Sequence, residues 1–171
     1  MTTIFLKNIG RFIFLILFQV LILNNIQLSG YINPYFYIYF ILLLPFGTPR
    51  WLLLLSAFLL GISLDAFTNT YGLNASACVL MAFVRPFVIS SISTGTEFMT
   101  GHSPSLKNQG LKWFAYYSVI LVLVHHYTLF YLEIFRFKEF FETFLRVLLS
   151  SLFTLLLVFI AEYLSYPTKK S

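Results

Sequence analysis

Charge is what this chain has least of. Only 10% of its 171 residues are Asp, Glu, Lys or Arg, against about a quarter in a soluble domain, which excludes an ordinary water-facing globule. Cysteine is almost as scarce. Cys78 stands alone, so neither an internal disulfide nor a paired-cysteine metal motif can be built. Enzyme signatures are missing as well: there is no Gly-rich phosphate loop, no HExxH, no G-x-S-x-G and no H-x-E with paired cysteines. The expectation is a non-enzymatic chain with no cofactor.

What fills the sequence is hydrocarbon. Hydrophobic residues make up 59% and aromatics 20%, the latter suiting a lipid-facing surface with interfacial belts. Long apolar runs between short polar breaks indicate an all-α, polytopic membrane protein; at about 20 residues per span there is room for roughly six transmembrane helices in a single domain. The spans are expected near residues 9–26, 31–46, 51–67, 73–92, 113–134 and 140–164. The second is short. From Tyr31 to Phe46 a helix would reach roughly 24 Å against a hydrocarbon core of ~30 Å. It therefore either thins the bilayer or enters as a re-entrant element buried by its neighbours. Lys7 and Arg11 precede the first run as in a signal peptide, but no small-x-small site follows, so an uncleaved first span is expected.

The net charge of +5 would suggest nucleic acid in a soluble protein. Here the basic residues flank the apolar runs, so they read as topology signals and no nucleic-acid partner is expected. With both termini cytoplasmic, the inner side holds Lys7, Arg11, Arg50, Lys107, Lys112, Lys169 and Lys170, and the outer side only Arg136 and Lys138. The segment from Ser93 to Gly110 is the longest polar stretch and reads as a surface loop.

The polar residues inside the spans are the candidates for function, because an intramembrane charge costs several kcal/mol unless paired or hydrated. Gln19 is expected to make an interhelical hydrogen bond. Gly61 and Asp65, four apart, share one helix face, where the glycine admits a close neighbour beside the carboxylate. Counting rise per residue puts Asp65 about 21 Å and Arg85 about 12 Å above the inner boundary. That gap of roughly 9 Å disfavours a direct pair. Asp65 is expected to cap or bond the Thr68-Asn69-Thr70 tip, and Arg85 to face a polar cavity or snorkel inward. Pro86 is expected to kink its helix. His125 and His126 point about 100° apart, and His126 shares a face with Glu133 only at roughly 10 Å. Packing or hydrogen bonding is the expected role of both histidines. Glu142 and Arg146 have ion-pair spacing, and Arg146 is also within reach of Glu133.

Gly61-x-x-x-Asp65 followed by Gly72-Leu73, in the third-to-fourth helix hairpin of a small polytopic chain, resembles the bacterial rod shape-determining family MreD. The Bacteroidota-type members are also similar in Asn33-Pro34-Tyr35, Leu44-Pro45-Phe46, Pro49-Arg50-Trp51, Arg85-Pro86, and His125-His126 with Leu132-Glu133. The likeness runs through nearly the whole chain. It implies a multi-pass component of the bacterial cytoplasmic membrane that helps maintain cell shape. Implied partners are an MreC-like bitopic protein and, through it, actin-like MreB and the RodA–PBP2 synthase of peptidoglycan. Gly61, Asp65, Gly72, Arg85, His126 and Glu133 are then structural or partner-docking candidates. A second class stays open: a small-molecule-binding transporter subunit resembling the substrate-capture proteins of energy-coupling-factor transporters, motivated by Asp65, Arg85 and the histidine pair in one bundle.

Overall fold

The computed structural model describes residues 2–26, 33–93, 102–134 and 140–165. Arg136, Lys138, Lys169, Lys170, the turn at 29–32 and residues 94–101 of the long polar stretch lie outside them. Helices run Thr2–Leu21 (α1), Tyr39–Leu42 (α2), Arg50–Thr68 (α3), Leu73–Ile92 (α4), Leu106–Gln109 (α5), Leu111–Ile134 (α6) and Phe140–Leu164 (α7), with 310 turns at Leu23–Asn25 and Phe36–Ile38. No strand is present among the described residues.

Among the described residues, five helical stretches are long and apolar enough to cross a membrane: Asn8–Asn25, Arg50–Thr68, Leu73–Ile92, Leu111–Ile134 and Phe140–Leu164. The chain is an all-α, polytopic membrane protein. Its surface has the matching polarity. Trp51, Leu55, Phe58, Leu152 and Leu156 are exposed, while Gln19, Asp65, Asn74, Arg85, His125, His126 and Glu162 are buried. Lipid wets the first set; the second must find partners inside the protein.

The second expected span, 31–46, is not a long helix. Its described part folds as one 310 turn and one α turn, Phe36–Leu42. Pro34 and Pro45 bracket the helical residues, and proline interrupts an N–H ladder wherever it falls inside a helix. The segment nevertheless travels down the bundle. It runs antiparallel to α1, with Phe36 against Phe18 at 5.9 Å and Phe40 against Phe12 at 5.3 Å. Along α6 its neighbours descend from Phe130, beside Tyr35, through His125, beside Tyr37, to Trp113, beside Phe46. That stretch of α6 is about 25 Å long. Tyr37, Ile38, Ile41 and Leu42 are wholly buried, so the irregular backbone lies inside protein rather than against lipid, as it must. Five helices and one threaded segment thus traverse the bundle. Because Phe40 meets Phe12 and Tyr39 meets Glu162, the N-terminal half of α1 and the C-terminal end of α7 share one end of it.

α3 and α4 make the tightest helix pair. Asn69, at φ 54°, closes α3 in the left-handed region that asparagine tolerates. Gly72, at φ 83°, opens α4. α4 then continues through Pro86.

Candidate functional site: a hairpin cap joined to a buried segment

The cap is built on Gly61. A Cβ there would lie 2.4 Å from the Ala75 Cα and 2.6 Å from the Asn74 carbonyl oxygen, so only glycine lets α3 ride on the backbone of α4's first turn. One helical turn further, Asp65 is carried to the free N–H groups of that first turn. Its Oδ1 accepts from the Asn74 N–H at 3.0 Å, the Asn74 side-chain amide at 3.0 Å and the Thr70 hydroxyl at 2.6 Å; its Oδ2 accepts from the Ala75 N–H at 2.9 Å. Gly72, in the cap position, has no side chain to do this, so a carboxylate from the preceding helix does it. The anion also faces the positive end of α4's dipole. Asp65 is 4% exposed and is compensated by these donors, with no cationic partner among the described residues.

Asn74 passes the network on. Its side-chain amide also donates to Thr70 at 2.9 Å, and its carbonyl oxygen accepts from the Tyr37 hydroxyl at 2.8 Å. The Tyr37 oxygen is 3.0 Å from His125 Nε2. With Tyr37 donating to Asn74, that nitrogen carries the hydrogen and Tyr37 accepts it. His125 Nδ1 then has no hydrogen-bond partner among the described residues.

Around and below Tyr37, polar side chains from four helices hold the segment's backbone and its tyrosines. Gln19 donates to the Pro34 carbonyl at 2.8 Å and accepts from the Phe36 N–H at 2.9 Å. Thr154 accepts from the Tyr35 N–H at 3.0 Å and donates to His126 Nε2 at 3.0 Å, because His126 Nδ1 donates to the Val122 carbonyl at 2.9 Å. Glu162 accepts from Tyr39 at 2.6 Å and from the Leu106 N–H, which opens α5, at 2.7 Å. Arg85 donates to the Leu44 carbonyl and, at 2.7 Å, to the Tyr117 hydroxyl, which donates to the Leu42 carbonyl at 2.8 Å. A buried donor or acceptor without a partner costs about 1–3 kcal/mol. Each of these residues removes one or more such costs.

No protein-family model, curated protein or solved structure matches this chain.

The sequence candidates therefore separate into three places. Gly61, Asp65 and Gly72 come together in the cap. Arg85 is elsewhere: at 3% exposed it does not snorkel, but bonds the segment's carbonyl inside the bundle. Asp65 and Arg85 make no pair among the described residues; the ion pair found there is Arg146–Glu133, at 3.3 Å across α6 and α7. Arg146 also lies over the Phe130 ring, 4.4 Å from its centre. Glu133 sits at this partly exposed periphery, while His126 is enclosed with Thr154. Several contributors escaped sequence reasoning, among them Glu162, Tyr117, Thr154 and Tyr37. Glu162 lies in the last turn of an apolar helix, where it reads as a terminal charge, and Tyr117 reads as one more aromatic. Their signal is collective: each of the membrane-length helices described carries at least one buried polar side chain.

Chemically, the arrangement organises backbone. The Thr154 hydroxyl donates to His126 Nε2 at 3.0 Å with both side chains wholly buried, and Cys78 Sγ and His125 Nε2 stand 3.9 Å apart. Cys78 and His125 are fully buried as well, and that His125 nitrogen is already engaged by Tyr37. No group of three or more His, Cys, Asp or Glu able to hold a metal occurs among the described residues.

Proposed function

We propose that this chain is a non-enzymatic, MreD-type component of the bacterial elongation machinery in the cytoplasmic membrane. In this reading it maintains cell shape by docking an MreC-like single-span partner, and through it MreB and the RodA–PBP2 synthase. The observation that carries the reading is the convergence of the residues bearing the resemblance. Gly61 and Asp65 on one helix and Gly72 at the start of the next build one cap, with Tyr71 fully exposed at its tip. A stiff hairpin that presents an aromatic at the membrane boundary is a docking element, since preorganised contacts lose little entropy on binding. The middle of the bundle supports docking over transport: Tyr37, Tyr117, His125 and His126 fill it and bond one another's neighbours.

The basic residues place the cap on the outer side, with both termini cytoplasmic. A photo-crosslinkable residue at Tyr71 should capture a single-span membrane protein in living cells, and depletion should turn rods into spheres. If no such partner is captured and shape is unchanged, the reading fails.

A further inference from the structure

At the cap end of the bundle a half-open cavity of about 400 Å³ lies between the end of α1, the start of the buried segment and the α3–α4 tip. Its size falls within the roughly 300–1,000 Å³ of small-molecule sites. Its lining carries no charge. Gln19, Asn24, Asn33, Asn74, Thr68 and Thr70 line it together with apolar residues such as Leu23, Leu64 and Phe67, and among the described residues no Asp, Glu, Lys or Arg does.

We propose that this cavity binds an uncharged, hydroxyl-rich group of sugar-ring size, either free or as the headgroup of a neutral glycolipid. Amides and hydroxyls both donate and accept, as vicinal hydroxyls require. Two of the amides are fixed in advance. Gln19 spends both side-chain N–H groups on Asn24 and Pro34, and Asn74 both of its own on Asp65 and Thr70, so these two frame the cavity and leave the Asn24 and Asn33 amides to meet a ligand. A phosphate or carboxylate would lose its hydration with no counter-charge in the wall. An acyl chain would leave the amides dry and unpaired.

The full chain in nanodiscs can be tested with radiolabelled glucose by equilibrium dialysis, and with monoglucosyl diacylglycerol by retention through purification. Val20 also lines the cavity, so Val20→Trp fills it without removing a polar group, while Asn33→Leu keeps it open and removes one amide. The expected result is saturable binding of glucose below about 10 mM, or retention of the glucolipid, weakened about tenfold or more by Asn33→Leu and abolished by Val20→Trp. Retention of the glucolipid alone assigns the ligand to the bilayer; binding of free glucose assigns it to solution. Absence of both overturns the proposal. So does binding undiminished in either variant, or a phosphorylated glucose bound as tightly as glucose. None of these readouts depends on whether a single-span partner is captured at Tyr71.

Discussion

The hairpin cap and the threaded segment answer the same problem in opposite ways. Each contains backbone groups with no helical partner, and each is served by one buried charge. In the cap the orphans are N–H groups at the start of α4, and the charge is an anion: Asp65 receives the Asn74 and Ala75 N–H groups. In the segment the orphans include carbonyls, and the charge is a cation: Arg85 donates to Leu44. At 4% and 3% exposed, the two residues look from sequence like an intramembrane ion pair or the ends of a polar path. Each instead pairs with peptide groups of complementary polarity. An intramembrane charge can thus be structural even when it is buried deeply, provided irregular backbone is buried beside it.

Removing each charge separately tests that symmetry. The largest loss should come from Asp65→Ala, which strands two backbone N–H groups, the Asn74 amide and the Thr70 hydroxyl together. A loss of about 3–5 kcal/mol is expected, with Asp65→Asn intermediate because an amide can serve only part of that donor set. Thermal unfolding in detergent would measure it, and a loss below about 1 kcal/mol would show that the carboxylate is dispensable.

Arg85→Leu should cost somewhat less, about 2–4 kcal/mol. It leaves the Leu44 carbonyl without its guanidinium, but Tyr117 can still donate to Leu42. Arg85→Lys should recover only part, since an ammonium does not reproduce the fork that meets Tyr117 and Leu44 at once. The two charges also differ in where damage should show. Hydrogen exchange should rise at the start of α4 in Asp65→Ala and along 36–46 in Arg85→Leu. If both variants loosen the same region, the division between cap and segment is wrong.

The cap is more legible in the sequence than the segment, and the reason is physical. Spacing of four residues on a helix fixes a shared face, so the sequence alone puts Gly61 and Asp65 together, and a glycine before Leu73 marks the helix start. Four helices follow the hydropathy closely: α4 and α7 match the expected 73–92 and 140–164, and α3 and α6 differ by a residue or two at their ends. α1 itself runs Thr2–Leu21, but the membrane-length stretch it forms with the following 310 turn, Asn8–Asn25, lies close to the expected 9–26. Hydropathy fails at 31–46 because it measures how much a stretch dislikes water, and a buried irregular run of Tyr, Phe, Ile and Leu dislikes water as much as a helix does. What distinguishes them is where the backbone hydrogen bonds go. That information sits on other helices, at Gln19, Arg85, Tyr117, Thr154 and Glu162, scattered through the chain. Arg85 is visible as anomalous, but its partner, a main-chain carbonyl, has no signature in sequence.

Within the cap itself, the two glycines offer the finest test, because they serve for different reasons. At Gly61 the obstacle to a side chain is the Ala75 backbone, 2.4 Å from where a Cβ would sit. At Gly72 nothing lies within 4 Å of that point, and the obstacle is φ 83°. Gly61→Ala must therefore push α3 away from α4 and lift Asp65 off its N–H groups, costing about 2–3 kcal/mol. Trimming the neighbour with Ala75→Gly should not rescue it, since the Cα remains. Gly72→Ala meets only the torsional penalty of a left-handed residue, about 1 kcal/mol, and Gly72→Asn should cost less than that because asparagine visits this region readily. Unfolding measurements on these variants would separate a steric glycine from a conformational one. Rescue of Gly61→Ala by Ala75→Gly, or a Gly72→Asn as costly as Gly61→Ala, would mean that close helix approach is not what positions the carboxylate.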